Sequence, residues 1–109
     1  MTDAVLDQTL LDDLVARIVE AVEPEKVILF GSWANGTARP DSDLDLFVEM
    51  ESDESPPERA RAVSRLFGLR KWAMDVVVYT PEEARRLSNV VGTLMHTIEC
   101  EGKVLYERG

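Results

Sequence analysis

The sequence predicts an α+β (mixed α/β) fold: a small mixed β-sheet with helices packed on one face and the other face left open for a site. Three observations predict it. The first is an apolar stripe at helical spacing near the N-terminus. The second is a set of three short β-favouring runs, at Val27–Phe30, Asp43–Val48 and Asp75–Tyr79. The third is a pair of capping-box patterns, each with proline at the first helical position, set between and after those runs. A chain of 109 residues fits one domain, 1–109.

Each element has its own signal. Leu6, Leu10, Leu14, Ile18 and Val22 recur every fourth residue with Leu11, Val15 and Val19 beside them, which predicts an amphipathic helix over residues 5–22 that Pro24 ends. Val27–Phe30 reads as strand one, and residues 31–42, with two glycines, Asn35 and Pro40, as a loop. Leu44, Leu46 and Val48 alternate with Asp43, Asp45 and Phe47 as strand two. Ser55 and Glu58 open a helix whose inward positions are Ala60, Val63, Leu66, Phe67 and Leu69, weakened near Gly68. Asp75–Tyr79 is strand three. Thr80 and Glu83 open another helix, a last helix spans residues 91–101 up to Gly102, and Val104–Tyr106 adds a short strand.

Composition narrows the function. The net charge of −9 gives no overall basic surface for displacing counterions, so direct nucleic-acid binding is not expected. No apolar run approaches the roughly 20 residues that span a bilayer, and the acidic N-terminal stretch is unlike a signal peptide. Cys100 is the only cysteine, so no intrachain disulfide can form, and a reducing cytoplasm is the expected location.

The stretch from Val27 to Val48, VILFGSWANGTARPDSDLDLFV, carries the chemistry. Gly31 and Gly36 have P-loop spacing, but Thr37 and Ala38 stand where Lys and Ser or Thr are needed. Asp41, Asp43 and Asp45 begin like a calcium loop, but Leu46 stands where its turn needs glycine and Ser52 where it needs glutamate. Strand geometry supplies a third reading. Residues i and i+2 share a face, so Asp43 and Asp45 present two carboxylates side by side. Close carboxylates repel unless a cation lies between them, and magnesium prefers oxygen ligands shared with substrate phosphates. The Gly31-Ser32 turn lets backbone amides approach an anion, and Ser32 adds a hydroxyl. Two-metal phosphoryl transfer calls for a third carboxylate, for which Asp75, opening an otherwise apolar strand, is the best candidate.

These residues, Gly31-Ser32, Gly36 and Ser42-Asp43-Leu44-Asp45-Leu46 with a downstream Asp75-Val76-Val77, resemble the signature of the polymerase-β-like nucleotidyltransferase superfamily. Length and element order resemble its small members, the minimal nucleotidyltransferase (MNT) proteins. The resemblance implies the nucleotidyltransferase fold, Mg2+ (two ions) held by Asp43, Asp45 and Asp75, and ATP as substrate. It also implies nucleotide contacts from Gly31, Ser32, Gly36 and Ser42, with Gly31 and Ser32 at the β- and γ-phosphates. Asp75 would help to activate an acceptor hydroxyl for in-line attack on the α-phosphate. The chain departs from many relatives at Asn35 and Trp33, where they carry a basic residue, which leaves fewer positive charges near the triphosphate.

Beyond this core the 109 residues leave no room for a domain that holds the acceptor, which is therefore expected to dock from outside or through a homo- or hetero-oligomer. Small proteins that resemble this one are often antitoxins paired with a HEPN-domain ribonuclease toxin, and the resemblance implies transfer of AMP to a toxin hydroxyl, commonly a tyrosine. An acidic chain suits a basic, RNA-binding partner. Two alternatives stay open: a non-catalytic antitoxin that blocks its partner sterically, and a small-molecule, aminoglycoside-type nucleotidyltransferase. Elsewhere, Trp33 reads as a loop anchor before an adenine platform, Trp72 as core, and Arg39, Arg65, Arg70 and Lys71 as solvated charges, any one of which could reach a phosphate. His96 reads as structural, and Cys100 lacks a third group for a nucleophilic triad.

Overall fold

Alternation along the central strand decides the layering. In the computed structural model, which describes residues 8–39, 42–67 and 73–108, strand β2 (Leu44–Glu49) buries Leu44, Leu46 and Val48 in one core cluster and Phe47 in another. Strands β1 (Lys26–Phe30) and β3 (Met74–Tyr79) flank it, and β4 (Lys103–Glu107) closes the sheet in the order β3-β2-β1-β4. The β1–β2 and β1–β4 pairs are antiparallel and β2–β3 is parallel, so the sheet is mixed, as expected.

One face is covered by helix α1 (Gln8–Val22) and by helix α3 (Pro56–Ser64) with the 3-10 turn Arg65–Phe67 that follows it. Leu14 and Ile18 of α1 are fully buried against Val27, Leu46 and Val48, as is Val63 of α3. Each such side chain contributes about 1.5–3 kcal/mol by leaving water. The predicted stripe is therefore the core face, with Leu11, Leu14 and Ile18 deepest. Leu6, at its start, lies outside the described residues, as do Gly68, Leu69, Arg70, Lys71 and Trp72.

The other face is ordered in three rows by strand register. Phe30, Asp45 and Asp75 form the first, Ile28, Phe47 and Val77 the second, and Lys26, Glu49 and Tyr79 the third. The expectation of helices on one face only needs correction here. Helices α4 (Pro81–Leu87) and α5 (Leu94–Glu101) bring Ala84, Leu87, Met95 and Ile98 onto Ile28, Phe47, Val77 and Tyr79. Phe47 and Tyr79 meet edge to face, with ring centroids 5.8 Å apart. The physical reason is Phe47: a fully buried aromatic on this face needs a cover. The apolar positions on α4 and α5 are few enough to hide their periodicity. The acidic ends of the first row stay accessible, with Asp75 exposed and Asp45 half-buried.

Two boundaries also differ from expectation. The last helix begins at Leu94, not at residue 91, because the Thr93 hydroxyl accepts from the His96 amide at 3.2 Å and caps it there. Residues 31–42 are not loop throughout, since Ser32–Asn35 forms one helical turn, α2. Among the described residues no helix is long and apolar enough to cross a membrane.

Candidate functional site

Strand β1 delivers the chain to Gly31, whose backbone adopts φ +78°. This is a region that side chains avoid, and it turns the chain abruptly into α2. The same glycine solves a packing problem. A Cβ built there would collide with the Asp45 carboxylate, so the missing side chain lets that carboxylate lie directly over the turn. The Gly31 carbonyl accepts from the amides of Ala34 (3.0 Å) and Asn35 (3.1 Å). The amides of Ser32 and Trp33, at the opening of α2, have no carbonyl a full turn back within the helix. Amides without intrahelical partners and carboxylates thus come together where strand β1 ends.

The carboxylates are grouped by the sheet. Asp45 and Asp75 are register partners on the parallel strands β2 and β3 and share a face with Phe30. Asp43 stands one residue before β2, where the Leu44 amide donates to the Ala73 carbonyl at 2.9 Å. Asp43 and Asp75 both act on Asp45 through their charge. Burial pushes the Asp45 carboxyl above the ordinary carboxylate range, and the charges of Asp75 and then Asp43 push it further. A divalent cation relieves that repulsion, and an all-oxygen donor set suits magnesium. Among the described residues no group of three His, Cys, Asp or Glu is placed to hold a metal ion.

The other predicted positions shape the loop. Gly36 ends α2 in the left-handed region, at φ +85°, and its amide donates to the Ser32 carbonyl at 3.1 Å. The Ser42 hydroxyl accepts from the Arg39 amide at 2.8 Å. Asn35 Oδ1 accepts from the Thr37 amide at 3.0 Å and the Thr37 hydroxyl at 2.6 Å, so Asn35 is itself tied into the turn. Trp33 is the anchor expected of it. Its ring packs against the core cluster, and its Nε1 donates to the Ser42 carbonyl at 3.1 Å. Asp41, the third aspartate of the rejected calcium loop, lies outside the described residues, as does Pro40.

The chain as a whole is matched at the level of families. The family described as a nucleotidyltransferase domain matches residues 11–100. The chain belongs to the nucleotidyltransferase domain family. No curated protein matches it significantly. Among solved structures, it is similar to a candidate nucleotidyltransferase from Sulfolobus solfataricus, with TM-score 0.64 and 21% identity over 92% of this chain and 79% of that one. It is also similar to a toxin–antitoxin solved with AMP-PNP, with TM-score 0.62 and 19% identity over 90% of this chain and 73% of that one. Both show the shared fold.

Sequence reasoning missed one residue that braces this nucleotidyltransferase domain. Arg59 is buried, at 6% exposure, and its guanidinium contacts the Glu83 carboxylate at 2.8 Å and the Glu54 carbonyl at 2.8 Å. Glu83 also accepts from the Thr80 amide at 2.9 Å, which closes the capping box of α4. The hydrogen bond from Arg59 holds the Glu83 carboxyl below its ordinary range. This network ties α3 to the start of α4 and, through the Arg59 guanidinium donating to the Val78 carbonyl at 3.4 Å, to the end of β3, the strand that carries Asp75. The one usable signal was an arginine in the middle of a helix whose neighbours Ala60 and Val63 face the core, and it does not name Glu83 as the partner.

Proposed function

We propose that this nucleotidyltransferase domain transfers AMP from ATP to a hydroxyl of a partner protein, with magnesium, and thereby acts as antitoxin to a HEPN-domain ribonuclease toxin. The single observation that carries the reading is the row of Asp45 and Asp75 in register, with Gly31 kept bare beneath Asp45. A solvated strand has no use for such an arrangement, and a triphosphate-metal site needs it.

Asp43, Asp45 and Asp75 would hold the magnesium. When bound, it supplies positive charge to the triphosphate and to the departing pyrophosphate. The amides of Ser32 and Trp33 and the Ser32 hydroxyl hold the β- and γ-phosphates. Gly36 and Ser42 keep that turn in shape around the nucleotide. Asp75, exposed at the edge of the row, takes the proton of the acceptor hydroxyl. The hydroxyl oxygen forms a bond to the α-phosphorus. The bond from that phosphorus to the oxygen bridging to the β-phosphate breaks, and pyrophosphate leaves. On a toxin tyrosine the product would add charge and bulk where the ribonuclease acts. The structural neighbour solved as a toxin–antitoxin with AMP-PNP supports both the nucleotide and the type of partner.

One observation favours steric blocking instead: Asn35 replaces a basic residue and spends its side chain on Thr37. Co-expression separates the two. With Asp43→Asn or Asp45→Asn, a toxin that regains activity while still binding this chain supports transfer. A toxin that stays silent supports steric blocking.

A further inference from the structure

Trp33 and Ser42 are the two ends of the site loop, nine residues apart, and they are joined by one hydrogen bond from the indole N–H to a main-chain carbonyl. What lies at each end makes that bond more than a loop closure. Trp33 is the second residue of α2, and its amide is one of those free of intrahelical partners at the phosphate end of the site. Ser42 is the residue immediately before Asp43, and Asp45 follows two further on. The indole is also fixed from behind, since its ring packs against the core cluster.

Among the described residues, the other side-chain bonds in the loop are local. Asn35 to Thr37 and Arg39 to Ser42 each span two or three residues and set the course of the chain, but neither joins the α2 turn to the carboxylate strand. Beyond the sheet's own β1–β2 pairing, among the described residues the Trp33–Ser42 bond is a side-chain link from one arm of the site to the other.

We propose that Trp33 is a positioning residue that sets the distance between the phosphate-binding turn at Gly31-Ser32 and the metal carboxylates at Asp43 and Asp45. This rests on the nucleotide site described above and deepens it. A bound nucleotide bridges both arms only through its triphosphate, so the bond matters for the polyphosphate and not for the base. An indole acting as an adenine platform would behave in the opposite way.

The test is a binding titration of the full chain with AMP-PNP and with AMP, each with magnesium, in wild type and Trp33→Phe. Phenylalanine keeps an aromatic ring on the core and removes the N–H donor. The loss of one hydrogen bond weakens AMP-PNP binding by about 3-fold to 10-fold, while AMP binding is unchanged. Thermal unfolding of the same variant, with a cooperative transition retained, verifies the fold. Trp33→His, which keeps a ring N–H, regains part of the AMP-PNP affinity. Equal weakening for AMP and AMP-PNP, or no weakening for either, overturns the proposal. A wild-type chain that binds neither nucleotide removes the site itself, which is a different failure from a normal site indifferent to Trp33.

Discussion

Asp45 and Asp75 face each other across the parallel strands β2 and β3, and the Asp45 carboxyl is held above its ordinary range by burial and by its two acidic neighbours. The chain thus carries a local destabilisation at its candidate site, as functional sites commonly do. Asp45→Asn removes one side of the repulsion. We expect the variant to be more stable than wild type by about 0.2–1 kcal/mol and to lose nucleotidyl transfer. Denaturant unfolding and an activity assay on the same preparation check both.

The sign of the pH dependence follows from the direction of that shift. A carboxyl raised in the folded state contributes stability that is fully present below its unfolded value, near 3.8, and is lost as pH rises through the higher folded value. Above that window the repulsion is complete. Magnesium then stabilises wild type by mass action and shifts its melting temperature upward, while Asp45→Asn responds little. Melting curves with magnesium and with chelator report the difference.

Gly31 and Gly36 separate the cost of backbone strain from that of the site. Both have positive φ, but a Cβ at Gly36 meets open space while one at Gly31 meets the Asp45 carboxylate. Gly36→Ala costs about 1–2 kcal/mol and keeps measurable activity. Gly31→Ala costs that and a further packing penalty of about 1–3 kcal/mol, and it abolishes transfer because Asp45 must move. Paired unfolding and activity measurements on the two variants test this.

The Arg59–Glu83 pair behaves oppositely to the site. Its carboxyl is lowered, so its stabilisation is present above the unfolded value, near 4.5, and is lost as pH falls through the folded one. Arg59→Ala loses the ion pair and the packing of a buried side chain, at a cost of about 1–3 kcal/mol. Glu83→Gln costs about 1–3 kcal/mol and flattens the acid limb of the stability profile. Unfolding free energies measured across the acid range distinguish the two variants.

Much of the fold is legible in residues that act alone or with near neighbours. Leu44, Leu46 and Val48 announce a strand by alternation, and Thr80 and Glu83 announce a helix start through a contact three residues long. The aspartates are legible because charge is out of place in a strand. What escaped depends on distant partners. Arg59 meets Glu83, 24 positions away, and its place beside Ala60 and Val63 does not name that partner. The single turn of α2 has too few residues for a period, and the cover over Phe47 comes from two short helices with few apolar positions each. The closeness of Gly31 to Asp45 is a fact of strand pairing, since Phe30 is the register partner of Asp45.

The most direct test of nucleotidyl transfer compares ATP labelled on the α-phosphate with ATP labelled on the γ-phosphate. Each is incubated with this chain, magnesium and a lysate of the source cell. The account predicts a protein band that takes up the α-label but not the γ-label and that vanishes with Asp45→Asn. Mass analysis of that band identifies the acceptor and the modified hydroxyl. A band labelled from the γ-position, or an α-labelled band that persists with Asp45→Asn, would contradict it.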